Sequence, residues 1–286
     1  MKNTINTFTK LVLLLTSIFF ASCQDVIQVD LEDKSGQLVV DGFISDAKDE
    51  GRCKIMLTRT AYYFDTNPPK TVSGAVVTLK DNTGKTEILK ENAAGTYTSD
   101  LIRGKVGNSY FLEIKTDGET YTSETKVLPV PRIDSIRYET KVVDNKEEVT
   151  LYYYGNELPE EGNYYRIKMY EDDKLLNKPL TILAFNDQFS NGRYYDGVKL
   201  NQGTPLKPNS SVRIELLSIT QDSFLFYDDL FKQAADFLIF APPRANVRTN
   251  IINSNPNSTK KAVGIFVGAG FTTKSGQLVG KKGMIR

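Results

Sequence analysis

Short alternating segments separated by turn residues are the feature that most constrains how this chain can fold. In the segment VRIELL, the apolar Val212, Ile214 and Leu216 alternate with the charged Arg213 and Glu215. A period of two places the apolar set on the inward face of a strand and the charged set on the outward face. Comparable segments recur at intervals of roughly 8–12 residues, a spacing typical of β-sandwiches.

Turn residues divide the other predicted strands into hairpins. DNTGK contains Gly84, and TDGE contains the pair Asp117-Gly118, so each predicts a tight turn with backbone φ above zero. The remaining predicted strands are Gln37–Ile44, Cys53–Thr58, Val76–Leu79, Thr86–Leu89, Tyr110–Lys115, Tyr121–Val127, Val149–Tyr154, Tyr165–Tyr170 and Ala262–Gly270.

The strand pattern predicts a mainly β fold of two sandwich-like domains, immunoglobulin-like or transthyretin-like in type. The first domain spans residues 37–128. Pro129 and Pro131 then make residues 129–132 an extended linker, because each restricts the residue before it to extended backbone. A second β-rich domain spans residues 133–286, and the chain length is consistent with two domains.

One stretch of the second domain changes to helical periodicity. Asp222 is a suitable N-cap, and Pro242 cannot continue a helix, so we expect a helix near residues 222–238. The apolar residues that recur there at helical spacing are Phe224, Tyr227, Phe231, Ala234 and Leu238.

The N-terminus has the layout of a secretion signal. Lys2 and Lys10 precede the apolar segment Leu11–Ala21, which is shorter than the roughly 20 residues that a membrane-spanning helix needs. The sequence FASC that follows resembles a bacterial lipobox, in which a diacylglyceryl group is attached to the cysteine. We therefore expect residues 1–22 to be removed as a lipoprotein signal peptide.

Cys23 would then be the first residue of the mature protein and the site of lipid attachment, with palmitate among its acyl chains. Residues 23–36 would form a short acidic tether. The alternative is ordinary signal cleavage beside an incidental cysteine. Several acyl chains on one residue would make attachment effectively permanent, since each buried methylene contributes about 0.8 kcal/mol.

Composition excludes several classes of function. The chain has 36 basic and 35 acidic residues, and such a balance lacks the positive charge expected of a nucleic-acid-binding protein. It has no histidine, which removes Ser-His-Asp and Cys-His catalytic sites and histidine-based zinc sites. We expect neither a metal nor a cofactor. Cys53, on a strand face with Ile55 and Leu57, is predicted to be a buried core thiol.

Part of the first domain resembles the transthyretin-like sandwich of carboxypeptidase regulatory domains. The shared pattern is Gly-Ala before a strand, then a turn, then Gly-x-Tyr leading into another strand. Here it comprises Gly74, Ala75, Gly95 and Tyr97, within residues 73–100.

The full layout resembles an uncharacterised family of bacterial outer-membrane lipoproteins, the domain-of-unknown-function family numbered four thousand two hundred and forty-nine. The layout consists of the lipobox followed by QLVVDGFI, LTRTAYYFD, SGAVVTL, GTYTSD, YTSE, PRIDSI, ITQDSFLFYDDL, RTNI and VGIFVGAG. Members are often encoded beside TonB-dependent outer-membrane receptors. The resemblance therefore implies an accessory role at the surface of a Gram-negative cell, and it supplies no catalytic residues.

Paired tyrosines are the candidate binding residues. In a strand, one member of a pair faces the core, and the other faces outward and could stack on a ligand or partner. Our candidates are Tyr62, Tyr63, Phe64, Tyr194 and Tyr195, because their segments also have the composition of loops. Core packing is the alternative explanation of these aromatic residues.

The polar segment FNDQFSNGRYYDG, residues 185–197, is predicted to be a loop that contacts a ligand or partner. Its Asp187, Asn191 and Asp196 offer the oxygen ligands that calcium takes, so calcium binding is an alternative. The acid pairs elsewhere in the chain are adjacent in sequence, and adjacent side chains do not face each other across a cleft as glycosidase carboxylates do.

The sequence therefore predicts a non-enzymatic surface lipoprotein of the outer membrane. It would assist a TonB-dependent receptor in taking up a nutrient whose identity the sequence does not reveal. Two alternatives remain: a structural or envelope-assembly lipoprotein that binds no small ligand, and a hydrolase that uses carboxylates without histidine.

Overall fold

The computed structural model describes residues 36–48, 51–62, 65–178, 181–234 and 246–285. Across these ranges the protein has eighteen strands and one helix, which confirms the predicted mainly β fold class. The predicted signal peptide, Cys23 and all of the predicted tether except Gly36 lie outside the described residues.

Eight strands precede the predicted proline linker, and most coincide with segments predicted from alternation. They are β1 (Leu38–Ser45), β2 (Arg52–Arg59), β3 (Val76–Asp81), β4 (Thr86–Ile88), β5 (Lys90–Ala93), β6 (Thr96–Arg103), β7 (Ser109–Thr116) and β8 (Glu119–Lys126).

Ten strands and the helix follow the linker. They are β9 (Ser135–Val143), β10 (Lys146–Asn156), β11 (Tyr164–Glu171), β12 (Lys174–Leu175), β13 (Leu183–Asn186), β14 (Tyr194–Lys199), β15 (Ser211–Ile219), α1 (Gln221–Ala234), β16 (Ile252–Asn253), β17 (Ala262–Gln277) and β18 (Lys282–Ile285).

Both predicted hairpin turns are present. Gly84, between β3 and β4, has a φ of 95°. Asp117 and Gly118, between β7 and β8, have φ values of 52° and 75°. Positive φ at both central residues is the turn geometry whose twist matches that of the flanking strands, so β7 and β8 pair along their full lengths.

The first sandwich packs two sheets around a shared core. One is the five-stranded sheet β16-β8-β7-β3-β4, and the other is the part of a nine-stranded sheet in the order β17-β1-β2-β6-β5. Tyr97, Tyr110 and Phe266 are among the largest fully buried side chains in this core. Cys53 is buried here as predicted, and burial raises the pKa of its thiol.

The second sandwich packs the sheet β14-β10-β9-β18 against β12-β11-β15-β17, which is the other end of the same nine-stranded sheet. The predicted inward residues Val212, Ile214 and Leu216 are all buried in its core. The predicted outward residue Glu215 is also buried, with 2% of its surface exposed. It accepts a hydrogen bond from the Tyr170 hydroxyl, at 3.2 Å, and pairs with the Arg213 guanidinium.

Strand β17 is shared by the two sandwiches, because it lies in the nine-stranded sheet that contributes to both. Its first half pairs in parallel with β1, from Ala262 to Ala269, and its second half pairs antiparallel with β15, as far as Gln277. Three glycines of GIFVGAG lie in this strand, which is the element predicted for that segment. A Cβ at Gly270 would overlap the carbonyl oxygen of Leu128, so a glycine there allows the two backbones to approach.

The C-terminal segment crosses the predicted domain limits. The prediction places all residues after 133 in the second domain. In the structure, β16 pairs with β8, and the first half of β17 pairs with β1, so residues 252–269 contribute two strands to the first sandwich. Alternation along the chain specifies where strands occur, but it does not specify which distant strands pair.

Helix α1 covers the face of the nine-stranded sheet that points away from the two sandwich cores. Tyr227 is buried there with Leu217 and Ile265 of the sheet. The helix begins after Thr220, whose hydroxyl accepts from the Ser223 amide at 3.4 Å. The predicted N-cap, Asp222, instead occupies the first turn, where its charge complements the helix dipole. Residues 235–238 of the predicted helix lie outside the described residues.

Candidate ligand-binding site

The structure places the predicted binding residues in separate parts of the molecule. Cys23, Tyr63 and Phe64 lie outside the described residues. Tyr62 is half-exposed and follows β2 of the first sandwich, where it lines a separate pocket. Tyr194 and Tyr195 belong to β14 of the second sandwich. The predicted set therefore does not form one surface.

A pocket of about 500 Å³ opens between β13, β14 and helix α1. This volume lies within the range usual for small-molecule sites. The lining from the strands includes Ile167, Leu183, Phe185, Tyr195 and Val198, and Leu200 lines the pocket just after β14. The lining from the helix consists of Tyr227, Asp228 and Phe231. The pocket is therefore mainly apolar.

Aromatic rings form one wall of the pocket. The ring centroids of Tyr153 and Tyr195 are 5.9 Å apart, and those of Phe185 and Tyr195 are 6.2 Å apart in an edge-to-face arrangement. Behind them, the Tyr165 ring lies 5.4 Å from that of Phe185. These contacts fix the ring positions, and edge-to-face packing is a favourable geometry for aromatic pairs.

A β-bulge at Gly197 determines which side chains of β14 face the pocket. Tyr153 pairs with Val198, whereas the next residue, Tyr154, pairs with Asp196, so Gly197 is the extra residue of β14. Its φ of 78° is one that glycine adopts readily. The bulge resets the alternation of side chains, and both Tyr195 and Val198 line the pocket although they are three residues apart.

Buried polar groups hold the aromatic wall of the pocket in place. The Tyr165 hydroxyl donates to Glu157 Oε1 at 2.5 Å, and the Gly192 amide donates to Glu157 Oε2 at 2.8 Å. The hydroxyls of Ser190 and Tyr195 are 2.7 Å apart. Burial raises the pKa of Tyr195, and the nearby Glu157 carboxylate raises it further, so the phenol is neutral near pH 7.

The pocket has few charged groups. Asp228 is paired with Lys232, whose Nζ lies 2.5 Å from Oδ2. Lys199 also lines the pocket, and it forms no ion pair with any residue that the structure describes. Asn186 accepts from the Gln188 amide through Oδ1, at 3.3 Å, and across the described ranges its side-chain NH₂ has no hydrogen-bond partner. Lys199 pairs opposite Tyr152, so its side chain belongs to the face of β14 opposite the one on which Tyr153 and Val198 line the pocket.

Side chains of the polar loop between β13 and β14 bond to neighbouring segments, although the buried Oδ1 of Asn191 has no hydrogen-bond partner among the described residues. Asp187 is buried, and its Oδ2 accepts from the Asn163 amide at 3.0 Å. The Asn191 side chain donates to the carbonyl of Pro159 at 3.3 Å. Asp196 lies in β14 itself, opposite Tyr154. Among the residues with described positions, no group of three or more acidic or cysteine residues could hold a metal ion.

Comparison with known families identifies the family of this chain. Residues 24–275 match the family described as Domain of unknown function (DUF4249). The chain belongs to this family. The match covers most of the described fold, including the pocket and all but the last two residues of the shared strand β17. It confirms the predicted family. The chain matches no curated protein and no solved structure.

The structure of this DUF4249 chain contains, over its described residues, no helix long and apolar enough to span a membrane. Of the five predicted aromatic residues, Tyr195 lines the pocket. It is the inward member of its pair, while Tyr194 is 49% exposed on the other face of β14. Phe185 lies in the segment 185–197 that is predicted to contact a ligand, whereas Tyr153 and Val198 are not predicted. The sequence signal that could have indicated Val198 is Gly197, which interrupts an alternating strand.

Proposed function

We propose that the protein is an outer-membrane lipoprotein that binds a small ligand beside a TonB-dependent nutrient receptor. The observation that carries this proposal is the aromatic-lined pocket of about 500 Å³ between β13, β14 and helix α1. A concave apolar site with a few converging polar groups is the usual form of a small-molecule site. The pocket supports a binding role more directly than a purely structural one.

The lipobox supports attachment to a membrane. Cys23 would carry the acyl chains, and the predicted tether ends at Gly36, two residues before the first residue of β1. An extended chain spans at most about 3.5 Å per residue, so this tether would let the first sandwich lie close to the membrane or stand off from it. The association of the family with receptor genes supports the surface of the outer membrane as the location.

The composition of the pocket supports binding rather than hydrolysis. A glycosidase needs two carboxylates that face each other across the substrate. Among the described residues that line this pocket, Asp228 supplies one carboxylate, and the Lys232 ammonium is paired with it. The buried Glu157 carboxylate is occupied by the Tyr165 hydroxyl and the Gly192 amide.

The Cys23→Ala variant tests the anchor. Wild-type cells grown with labelled palmitate should incorporate label into the protein, and Cys23→Ala should abolish incorporation, because no thiol remains at the lipobox. Cys53→Ala is the matched control, since it removes the buried thiol and should leave incorporation unchanged. Labelling of Cys23→Ala at the wild-type level would refute the proposed attachment.

Purification of the wild-type protein from detergent-solubilised outer membranes tests the partner in the same strains. We expect a TonB-dependent receptor to co-purify, and to be lost with Cys23→Ala, because the anchor concentrates both proteins in one membrane. Reproducible failure to recover any receptor would refute this role. Recovery of a different envelope protein, without binding of a small ligand, would favour the envelope-assembly alternative.

A further inference from the structure

We infer that the pocket between β13, β14 and α1 binds a compact organic cation with an apolar ring, such as an arylalkyl ammonium ion. This inference rests on the proposed binding role and assigns a chemical class to the ligand. The ammonium group would lie at the hydroxyls of Ser190 and Tyr195, and the ring would lie toward Tyr227 and Phe231 of the helix.

The size and lining of the pocket favour a ligand with a ring. A volume of about 500 Å³ is sufficient for fused rings with a short side chain, but not for a lipid with several acyl chains. Tyr153, Phe185 and Tyr195 form the aromatic wall on the strand side, and Phe231 lines the helix side. Aromatic side chains stabilise a bound ring by offset or edge-to-face contact, and their faces also attract a cation.

Two buried carboxylates lie beside the aromatic wall. Glu157 accepts from the Tyr165 hydroxyl at 2.5 Å, and the Tyr165 ring lies 5.4 Å from that of Phe185. An O–H···O distance of about 2.5–2.7 Å is typical of a hydrogen bond to an ionised carboxylate. Asp187 accepts from the Asn163 amide at 3.0 Å. Neither carboxylate forms an ion pair with any residue that the structure describes, so the negative charge of this wall is uncompensated.

The charge of these carboxylates acts on the polar atoms of the pocket. Ser190 and Tyr195 both line the pocket, and their hydroxyls are 2.7 Å apart. Burial raises the pKa of Tyr195, and the carboxylates of Glu157 and Asp187 raise it further, so both carboxylates are close enough to affect this hydroxyl. An ammonium group would donate to the lone pairs of the two hydroxyls and would be attracted by both carboxylates.

The positive charges near the pocket are paired or lie away from the aromatic wall. Lys232 is paired with Asp228 on the helix. The Arg166 guanidinium does not line the pocket, and it lies over the Tyr227 ring on the helix side, 3.7 Å from the ring centroid. The side chain of Lys199 belongs to the opposite face of β14. The strand side of the pocket is therefore the side that attracts a cation.

The same features disfavour other ligand classes. An organic anion would meet the uncompensated carboxylates beside the aromatic wall. An unmodified sugar would bring many hydroxyl groups against Phe185, Val198 and Phe231, where they would lose their hydrogen bonds to water. A cation with an apolar ring is therefore the class that matches both the lining and the charge.

The test compares three probes that share a naphthyl ring and differ in charge. The full-length chain, purified in mild detergent at low ionic strength and near neutral pH, is titrated by calorimetry. The probes are the 2-(2-naphthyl)ethylammonium ion, the neutral 2-(2-naphthyl)ethanol and the anion 2-naphthylacetate, and detergent alone serves as the blank. We expect the ammonium ion to bind about fivefold more tightly than the alcohol, and the acetate to bind most weakly. Raised salt should narrow these differences.

Four variants separate the parts of the inference. Asp187→Asn keeps an oxygen for the Asn163 amide, and it should reduce the preference for the ammonium ion over the alcohol by about threefold, as should Glu157→Gln. Val198→Trp, at a half-exposed position of the pocket, should weaken all three probes by more than about tenfold by filling the space. Asp81→Asn, which removes a buried, hydrogen-bonded carboxylate from the first sandwich, is the matched control and should change none. Thermal melting identifies the folded variants, and either folded carboxylate variant is sufficient.

Each contrary result overturns a defined part of the inference. Failure of the wild-type chain to bind any probe, or binding to Val198→Trp at the wild-type level, would overturn the pocket as the site. An ammonium ion that binds no more tightly than the alcohol, or an unchanged preference in a folded carboxylate variant, would overturn the charge assignment. These titrations use purified protein, so they can succeed when palmitate labelling or receptor co-purification fails, and the two proposals are judged separately.

Discussion

At the scale of single residues, the close approach of two backbones requires glycine at positions that the hydrophobic pattern does not distinguish from the rest of a strand. Gly264 lies in β17 opposite Val40 of β1, with a φ of 102°. A Cβ at this position would overlap the backbone of Val40. The sequence segment AVGIFVGAG indicates a strand, but it does not reveal that this glycine is required by a parallel neighbour from the other end of the chain.

Gly264→Ala should therefore destabilise the protein by about 3 kcal/mol or more, since both the φ value and the overlap oppose a side chain. Gly280→Ala is the matched control, because Gly280 has a φ of 79° but no atom within 4 Å of the added Cβ. We expect it to cost only about 1–2 kcal/mol. Urea unfolding measures both, and equal losses would contradict the role given to the close approach.

At the scale of elements, periodicity predicts most strands and the helix. The prediction errs at the ends of these elements, and it does not identify which elements contact each other. The helix was predicted from the spacing of Phe224, Tyr227 and Phe231, but its N-cap is Thr220. Its position on the sheet depends on a long-range contact that no local pattern contains. Asp229 accepts from Arg248 Nε at 2.7 Å and from Nη2 at 2.8 Å, which joins the helix to the segment preceding β16.

The hydrogen bonds from Arg248 lower the pKa of Asp229. A lowered pKa in the folded state gives stability that is present above the unfolded pKa, near 3.9, and is lost as the pH falls through the folded value. Asp229→Asn should cost about 1 kcal/mol at pH 7, after allowance for the half-exposed Arg248, and should reduce the loss of stability on acidification below about pH 4.

Asp228→Asn is the matched control for this prediction. Asp228 forms an i, i+4 pair with the exposed Lys232 on the same helix. Pairs of this kind contribute only about 0.3–0.5 kcal/mol. Chemical unfolding at pH 7 and between pH 5 and pH 2 measures both variants. If the two substitutions had the same effect on stability at every pH, the contact between Asp229 and Arg248 would not stabilise the position of the helix.

At the scale of the whole molecule, the shared strand makes the two sandwiches interdependent. Ala262–Ala269 completes the first sandwich, and the rest of β17 pairs with β15 in the second. Leu79 is buried in the first core and Ile214 in the second. Separation of the sandwiches would break β17 in the middle and expose both cores, so we expect them to unfold together.

Scanning calorimetry should accordingly show a single unfolding transition. Leu79→Ala and Ile214→Ala should each lower its midpoint, because each leaves a cavity that costs about 2–5 kcal/mol. Tyrosine fluorescence and circular dichroism should report the same midpoint in every variant. Two resolved transitions, with each substitution shifting only one of them, would show that the sandwiches unfold independently.

The sequence by itself determined the class of fold, the places of most strands, the two tight turns and the family, because these depend on neighbouring residues and on motifs. It also selected Tyr195. The tertiary structure decided that residues 252–269 complete the first sandwich, and that Gly197 turns Tyr195 and Val198 toward one pocket. These features depend on contacts between segments far apart in the chain, and the period of a single strand carries no information about its distant partner.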